Sequence, residues 1–494
     1  MNAPHTPSGG HTPDRHHMLA LMHALEWLKA GQFTRAEGVG LRVVEADPGN
    51  ADAHFVSAVA AYELGHHRVA LERLDCAIDL QPKTAEFYAQ RGVVLNAMAC
   101  RDAAVKEFCR ALELSPSDVP TLANLARVLL KMGDPHQAYR PMRRALALQP
   151  DNPELLGDMA VILVACRQPS AALPLYEQAI RLVPGDADLH CNYSRALLML
   201  GQYTQGWREN EWRWRSSHYR NVGFNLPAPE WDGCPVEGKT ILIVCEQGFG
   251  DALQFIRYVP WMRQQGATVL VQCRPELVRL FQAIHGVERA IPLGEPLPEI
   301  DLAIPLLSLP LVHGTRIDTI PAARCLTLPA EPAPPMSIRQ GNMPMRVGVV
   351  WSGNSQRSLR FEDLAPLFKG SGIEFHALQP GPESQKARDS GLIDWSGWLT
   401  DFAATAAVMS RLDLVITIDT ASAHLAGSLG IPVWVLIHAT ADWRWSATGE
   451  RTPWYPETRL FRQEQSGHWG GVIGRVSRAL QRHAVLYREE RRAG

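Results

Sequence analysis

The stretch Leu414-Val-Ile-Thr-Ile-Asp-Thr-Ala-Ser-Ala-His-Leu-Ala-Gly-Ser-Leu-Gly430 sets a continuous apolar run, a polar turn and a helix start one after another. A strand that is apolar throughout is buried on both faces, as the central strands of parallel sheets are. Ligands of such sheets bind outside the carboxyl ends of the strands, where the next helix begins. Asp419, Thr420, Ala421, Ser422 and His424 stand at that place. Thr420 or Ser422 is placed to cap the helix, and the free N–H groups and positive dipole end there suit an anion such as a phosphate. The same residues also suit an ordinary strand-to-helix turn with a capping threonine.

Working outward, the same grammar occurs twice. Lys239-Thr-Ile-Leu-Ile-Val-Cys245 reads as an apolar strand, the residues from Glu246 to Trp261 as a glycine turn and helix, and Ala267-Thr-Val-Leu-Val-Gln-Cys273 as a second strand. A proline-rich linker begins at Leu328-Pro-Ala-Glu-Pro-Ala-Pro-Pro335, and a new strand, Arg346-Val-Gly-Val-Val-Trp351, starts the pattern again. Alternating strands and helices of this kind build open parallel sheets. Two successive Rossmann-like units with a cleft between them match the outline of the GT-B architecture, and also that of other two-lobed folds.

The glycine turn is distinct from a dinucleotide fingerprint. Gly248 and Gly250 supply G-x-G, but Leu253 occupies the third glycine position, and the second strand ends in Gln272-Cys273 without an acidic residue. Nicotinamide dinucleotide binding is therefore disfavoured. The chain also lacks a G-x-x-x-x-G-K-[ST] loop, which argues against a P-loop ATPase.

Upstream, Pro48, Pro82, Pro116, Pro150 and Pro184 recur at a spacing of 34 residues. Ala36, Ala70, Ala104, Ala138 and Ala172 share a second phase, and Ala58, Gly92, Ala126 and Ala160 a third. A fixed period of this length marks a repeat architecture. Small residues in phase let two helices approach, and the proline ends the second helix because it cannot supply an interior N–H. Each unit thus reads as helix, turn, helix. Five clear copies span roughly residues 17 to 186, and a degenerate sixth pair begins at Ala187. The aromatics of Gly206-Trp-Arg-Glu-Asn-Glu-Trp-Arg-Trp214 suggest that Trp207, Trp212 and Trp214 pack between domains.

At 494 residues the chain exceeds one hydrophobic core, and roughly two to four domains are expected. A net charge of −2 leaves no electrostatic footprint for nucleic acid, and the basic cluster Arg488-Glu-Glu-Arg-Arg492 reads as a solvated tail. Nine cysteines without a C-x-x-C pair argue against a disulfide framework or a zinc knuckle and fit a reducing cytoplasm. No apolar run is long enough to span a membrane. The opening segment from Met1 to Pro13 has no signal-peptide core and reads as disordered, with His16 and His17 part of that tail.

Gly250-Asp251 with Pro260 nine residues after the aspartate, together with the segment from Asp419 to Gly430, resembles the heptosyltransferase-like family (family nine) of GT-B glycosyltransferases. The resemblance covers about residues 238 to 480. The repeats resemble tetratricopeptide repeats, and the combined layout is similar to O-GlcNAc transferases and other repeat-fused bacterial glycosyltransferases. The resemblance implies that Asp251 is the general base that deprotonates an acceptor hydroxyl. It places Asp419, Thr420, Ala421, Ser422 and His424 around the diphosphate and sugar of a nucleotide-sugar donor. The pattern departs at Ala421-Ser422, where many relatives carry Gly-Pro, so sugar specificity does not carry over. The family generally has a cation in the loop after the first strand of the second lobe. Arg357, and after it Arg360, is placed for that role, with Ser352, Gly353 and Asn354 as further donors.

Metal assistance is not expected, because the one D-x-D, Asp186-Ala-Asp188, lies at a repeat boundary far in sequence from either lobe. Asp442-Trp-Arg-Trp445 follows a strand at Pro432-Val-Trp-Val-Leu-Ile437; Trp445 reads as packing, with Trp443 and Arg444 open. The expected protein is multidomain. A disordered tail (1–16) precedes an all-α tetratricopeptide-repeat solenoid (17–220). Two α/β Rossmann-like lobes follow, the first on the acceptor side (238–328) and the second on the donor side (345–484), joined by a linker (329–344). The expected function is inverting, metal-independent, cofactor-free transfer from a nucleotide-diphosphate sugar to a protein or glycan hydroxyl, with the repeats recruiting acceptor or partner. The alternative is a non-catalytic repeat scaffold carrying a nucleotide-sugar-binding pseudoenzyme domain.

Overall fold

The computed structural model describes residues 15–220, 225–329, 334–336, 344–353 and 357–493. These form two compact units, divided between Ile162 and Leu163. Of the expected tail, residues 1–14 lie outside the described residues, and Arg15, His16 and His17 already belong to the helix Arg15–Lys29.

The first unit consists of helix pairs: Arg15–Lys29 with Phe33–Ala46, Ala51–Glu63 with His67–Leu80, Ala85–Ala97 with Arg101–Leu114, and Val119–Lys131 with Pro135–Leu148. The in-phase alanines are fully buried where the helices cross. At Gly92 a Cβ would come within 2.7 Å of the Phe108 ring, so the smaller residue is required for that approach. The turn inside each pair needs one left-handed residue. Gly31, Gly65 and Gly133 supply it, whereas Ala99 adopts φ +62° without being glycine. Pro48, Pro82, Pro116 and Pro150 each follow the second helix of a pair, where no further helical N–H is needed.

The second unit begins inside the helix Pro153–Ala165 and continues with Pro169–Leu182, then the pair Ala187–Met199 and Tyr203–Asn210. Two parallel sheets follow. The first contains β1 (Thr240–Val244), β2 (Thr268–Cys273), β3 (Val287–Pro292) and β4 (Leu302–Pro305) in the order β3-β2-β1-β4. The second contains β5 (Met345–Val350), β6 (Ile373–Ala377), β7 (Ile393–Asp394), β8 (Leu414–Ile418), β9 (Val433–Ile437) and β10 (Thr458–Arg462) in the order β10-β9-β8-β5-β6-β7. Every strand pair is parallel. β5, β8 and β9 are buried along their whole length, as their apolar sequences require.

Each sheet winds outward on one side and then returns to the other side of its first strand. That places the reversal of strand order between β1 and β4 in the first sheet and between β5 and β8 in the second. A crevice opens at such a point because the flanking connections leave in opposite directions.

The division between the compact units at 162/163 falls inside the repeats, so the last helix pair belongs with the lobes. The physical reason is a shared core: Leu198, Tyr203 and Trp207 are buried together with residues of both sheets' lobes. Trp207 meets Trp443 edge-on at 5.4 Å and Phe255 at 5.9 Å. Of the three tryptophans expected to pack across, Trp207 does so. Trp212 stacks on His190 at 3.9 Å, and Trp214 meets Tyr219 edge-on, both within the helical segment. The expected linker falls largely outside the described residues, at 330–333 and 337–343. The last helix, Gly470–Ala493, extends past residue 484 and packs on the second lobe's outer core.

Candidate active site

The carboxyl ends of both sheets open onto one cleft of about 920 Å³. On the first lobe the chain leaves β1 through Gly248, which precedes the short helix Phe249–Phe255. Asp251 stands third in that helix, and its Oδ2 accepts the Gly248 N–H at 3.2 Å. A Cβ at Gly250 would sit 3.0 Å from His424 Cδ2. The glycine therefore lets two helix starts from opposite lobes touch, a role unrelated to dinucleotide binding. Ser428 Oγ donates to the Leu253 carbonyl at 3.1 Å and fixes the same contact farther in.

On the second lobe, Asp419 ends β8 and the helix Ala421–Leu429 begins directly after Thr420. Thr420 occupies the cap position but makes no side-chain cap bond, and Ser422 is already inside the helix. The hydroxyl capping expected of one of them is therefore absent here. A Cβ at Gly353 would meet Thr420 Cγ2 at 2.7 Å, so the loop after β5 lies directly on this turn. Gln379, at the end of β6, clamps that loop: its Oε1 accepts from Trp351 N at 3.2 Å and Ser352 N at 2.9 Å. Asn354 lies outside the described residues.

Arg357 Nη1 donates to Asp419 Oδ2 at 2.7 Å, and both residues line the cleft. Arg360 does not line it; its guanidinium pairs with Asp363 at 2.7 Å on the surface. The third contribution comes from the loop after β9. Arg444 donates to Asp442 Oδ1 at 2.9 Å, to Gln254 Oε1 at 2.5 Å and to Asp251 Oδ1 across the lobes. Trp443 lines the cleft beside it, and Trp445 is fully buried behind, stacked on His424.

Burial and the neighbouring Asp442 push the Asp419 carboxyl above its ordinary range, while Arg357 opposes them. Burial also presses upward on Asp442, but Arg444 outweighs it and the carboxyl lies low. Arg444 stays charged: burial opposes its charge, but Asp442 and Asp251 more than compensate. His424 is pushed down to about 3 by burial, with Arg444 adding to the effect. It is therefore neutral near pH 7 and offers hydrogen bonding rather than positive charge. Its Nδ1 lies 3.0 Å from Tyr455 Oη.

The last helix pair forms a third wall. Asp188, Cys191, Asn192 and Arg195, spaced as one face of the helix Ala187–Met199, line the same cleft as Asp251. Asp186 caps that helix, accepting from Asp188 N at 3.0 Å and Leu189 N at 3.1 Å, and Asp188 accepts from Ser217. The D-x-D, remote in sequence from both lobes, thus reaches the cleft through Asp188. Arg213 follows, tied to Ser308 Oγ at 2.8 Å and to the buried Glu246 at 3.3 Å.

The structure brings together Gly250, Asp251, Arg357, Asp419, Thr420, Ala421, Ser422 and His424. Gly248 supports the site from behind as the cap of the helix that carries Asp251. Sequence reasoning missed Gln379, Gln254 and the helical wall. Gln379 follows the carboxyl end of a parallel strand, a signal that could have found it. Among the described residues no helix is long and apolar enough to cross a membrane.

The helical part of the chain carries tetratricopeptide repeats: models described as tetratricopeptide repeat match residues 21–67, 121–154 and 175–208. Across a longer stretch, the chain is similar to Protein FlbA of Caulobacter vibrioides, with 27% identity over 327 residues, 58% of this chain and 54% of that protein. It thus spans about half the length of that relative. Among solved structures it is similar to Pseudomonas aeruginosa PilF, with 21% identity over 42% of this chain and 96% of that one and a TM-score of 0.38. It is also similar to PilW, described as a type IV pilus biogenesis factor, with 19% identity, 42% and 99% coverage and a TM-score of 0.39.

Proposed function

We propose that the chain is an inverting glycosyltransferase of the GT-B kind, moving a sugar from a nucleotide-diphosphate donor to a hydroxyl of a protein or glycan. One observation carries the reading. The two strand-order reversals face a single cleft, with the Asp251 carboxylate on one side and Arg357 beside the start of the helix Ala421–Leu429 on the other. Asp251 takes the proton of the acceptor hydroxyl while that oxygen bonds to the anomeric carbon. The bond from that carbon to the donor diphosphate breaks, and the electron pair leaves with the phosphate. Arg357 and the uncapped helix start meet the charge that develops there. These groups supply the leaving-group stabilisation without assigning it to a metal. The repeats fit a role in recruiting the acceptor or a partner. The cysteine usage, without a C-x-x-C pair, fits the cytoplasm as the place of action.

The test is turnover of a panel of nucleotide sugars by the purified chain, measured as hydrolysis or transfer. Asp251→Asn should lower kcat by about 100-fold or more while the fold is retained. Equal turnover in the variant would remove Asp251 from the role of base. The ion pair between Asp251 and Arg444 favours a second reading, a nucleotide-sugar-binding scaffold without catalysis, since that contact occupies one oxygen of the proposed base. Tight nucleotide-sugar binding without turnover on any acceptor would select that reading.

A further inference from the structure

We infer that Arg444 is a positioning residue for Asp251, orienting this first-lobe carboxylate from the second lobe, so that the base is assembled only where the two lobes meet. The inference rests on the transferase reading and deepens it. Each oxygen of Asp251 has its own donor: Oδ2 takes the Gly248 N–H at 3.2 Å and Oδ1 takes Arg444 Nη2. A carboxylate oxygen has two lone pairs, so acceptor capacity remains on both for an incoming hydroxyl.

The guanidinium is itself held at all three nitrogens. Nε donates to Gln254 Oε1 at 2.5 Å, Nη1 to Asp442 Oδ1 at 2.9 Å and Nη2 to Asp251. Its carbon lies 4.4 Å from the centroid of the Trp443 ring, which keeps the plane from tilting. Gln254 and Asp251 are three residues apart on one helix, so the fork grips one helix face at two adjacent points. A lysine point charge has no equivalent of this planar grip.

An arginine so occupied is not available to a diphosphate. Arg357 differs: it is 43% exposed and reaches Asp419 through one amino group. The second lobe thus divides two tasks between two arginines, phosphate neutralisation for Arg357 and orientation of the base for Arg444.

The experiment uses the full chain with Arg444→Gln and Arg444→Lys. Nucleoside diphosphates serve as binding probes by calorimetry, and turnover is followed with whichever nucleotide sugar the unmodified chain consumes. Arg444→Gln should bind nucleoside diphosphate within about threefold of the unmodified chain yet lose about 100-fold or more in kcat. Arg444→Lys should restore only part of kcat, because it returns the charge without the fork. Unchanged kcat in Arg444→Gln would overturn the inference. So would a loss confined to nucleoside diphosphate affinity, which would make Arg444 a phosphate ligand. If the unmodified chain turns over no nucleotide sugar, the transferase reading fails. The tie to Asp251 is then read from thermal midpoints of Asp251→Asn, Arg444→Gln and the double variant, where additive shifts overturn it and non-additive shifts uphold it.

Discussion

Arg357 and Asp419 meet at 2.7 Å at the mouth of the β8 turn, joining an accessible guanidinium to a nearly buried carboxylate. The pair holds a cation at the helix start while leaving it open to exchange with an anion. A charge-assisted hydrogen bond contributes about 1.5–3 kcal/mol, so Arg357→Gln should weaken nucleoside diphosphate binding by about tenfold to a hundredfold. Calorimetry at two salt concentrations checks this, and binding unchanged by the substitution would take Arg357 out of the phosphate site. Arg360→Gln, remote from the cleft, should leave the affinity unaltered.

His424 makes a distinct pH prediction. Its folded value of about 3 lies below the unfolded value near 6.5, so between those pH values the unfolded chain binds more protons. Stability is therefore fully present above about pH 6.5 and falls as the pH is lowered towards 3. By pH 5 the loss attributable to this residue is about 2 kcal/mol. Denaturant unfolding of the unmodified chain and of His424→Asn at pH 7.5 and pH 5 isolates it, since other groups cancel in the difference. An equal pH dependence in both chains would contradict the burial assigned to this ring.

Trp207 is almost fully buried against Trp443, Phe255 and Trp454. Truncation to alanine should cost about 3–5 kcal/mol, because the surrounding rings cannot collapse into the space. Trp207→Phe should cost clearly less. Guanidinium unfolding followed at the C-terminal unit gives the comparison, and a loss below about 1 kcal/mol for the alanine variant would mean the site repacks.

Ala99 sits at φ +62° in a turn where the equivalent positions 31, 65 and 133 are glycine, and it is exposed. An L residue there costs about 1–2 kcal/mol, offset in part by glycine's larger freedom in the unfolded chain. Ala99→Gly should therefore stabilise the repeat unit by about 0.5–1 kcal/mol. A lower thermal midpoint in the variant would show that the turn relaxes around the alanine without strain.

The repeats were legible because each is a local structure: prolines, small residues and turn positions recur at 34 residues whatever lies elsewhere. Strands β1, β2, β5, β8 and β9 were legible from apolar runs, and Asp251 and Asp419 from their places after such runs. The neighbours of those residues were not legible. A linear reading ranks Arg357 ahead of Arg360 but keeps both, and only the fold separates the one facing Asp419 from the one paired to Asp363. Arg444 acquires its role through Asp251 and Gln254, about 190 residues earlier in the chain, and no local pattern encodes such a contact. The division at 162/163 lies inside the repeats, since repeat periodicity records helix pairing and not the core in which a pair ends up.

The shared core of the last helix pair limits how the molecule could be rebuilt. A designer exchanging repeats for those of another protein would have to splice upstream of residue 163. Beyond that point Trp207 belongs to the core and Asn192 and Arg195 to the cleft wall. The sixth pair behaves as a fixed adapter, a repeat in shape and a piece of the cleft-bearing unit by location. Variation in the number of preceding repeats is free of that constraint and leaves the residues that line the cleft unchanged.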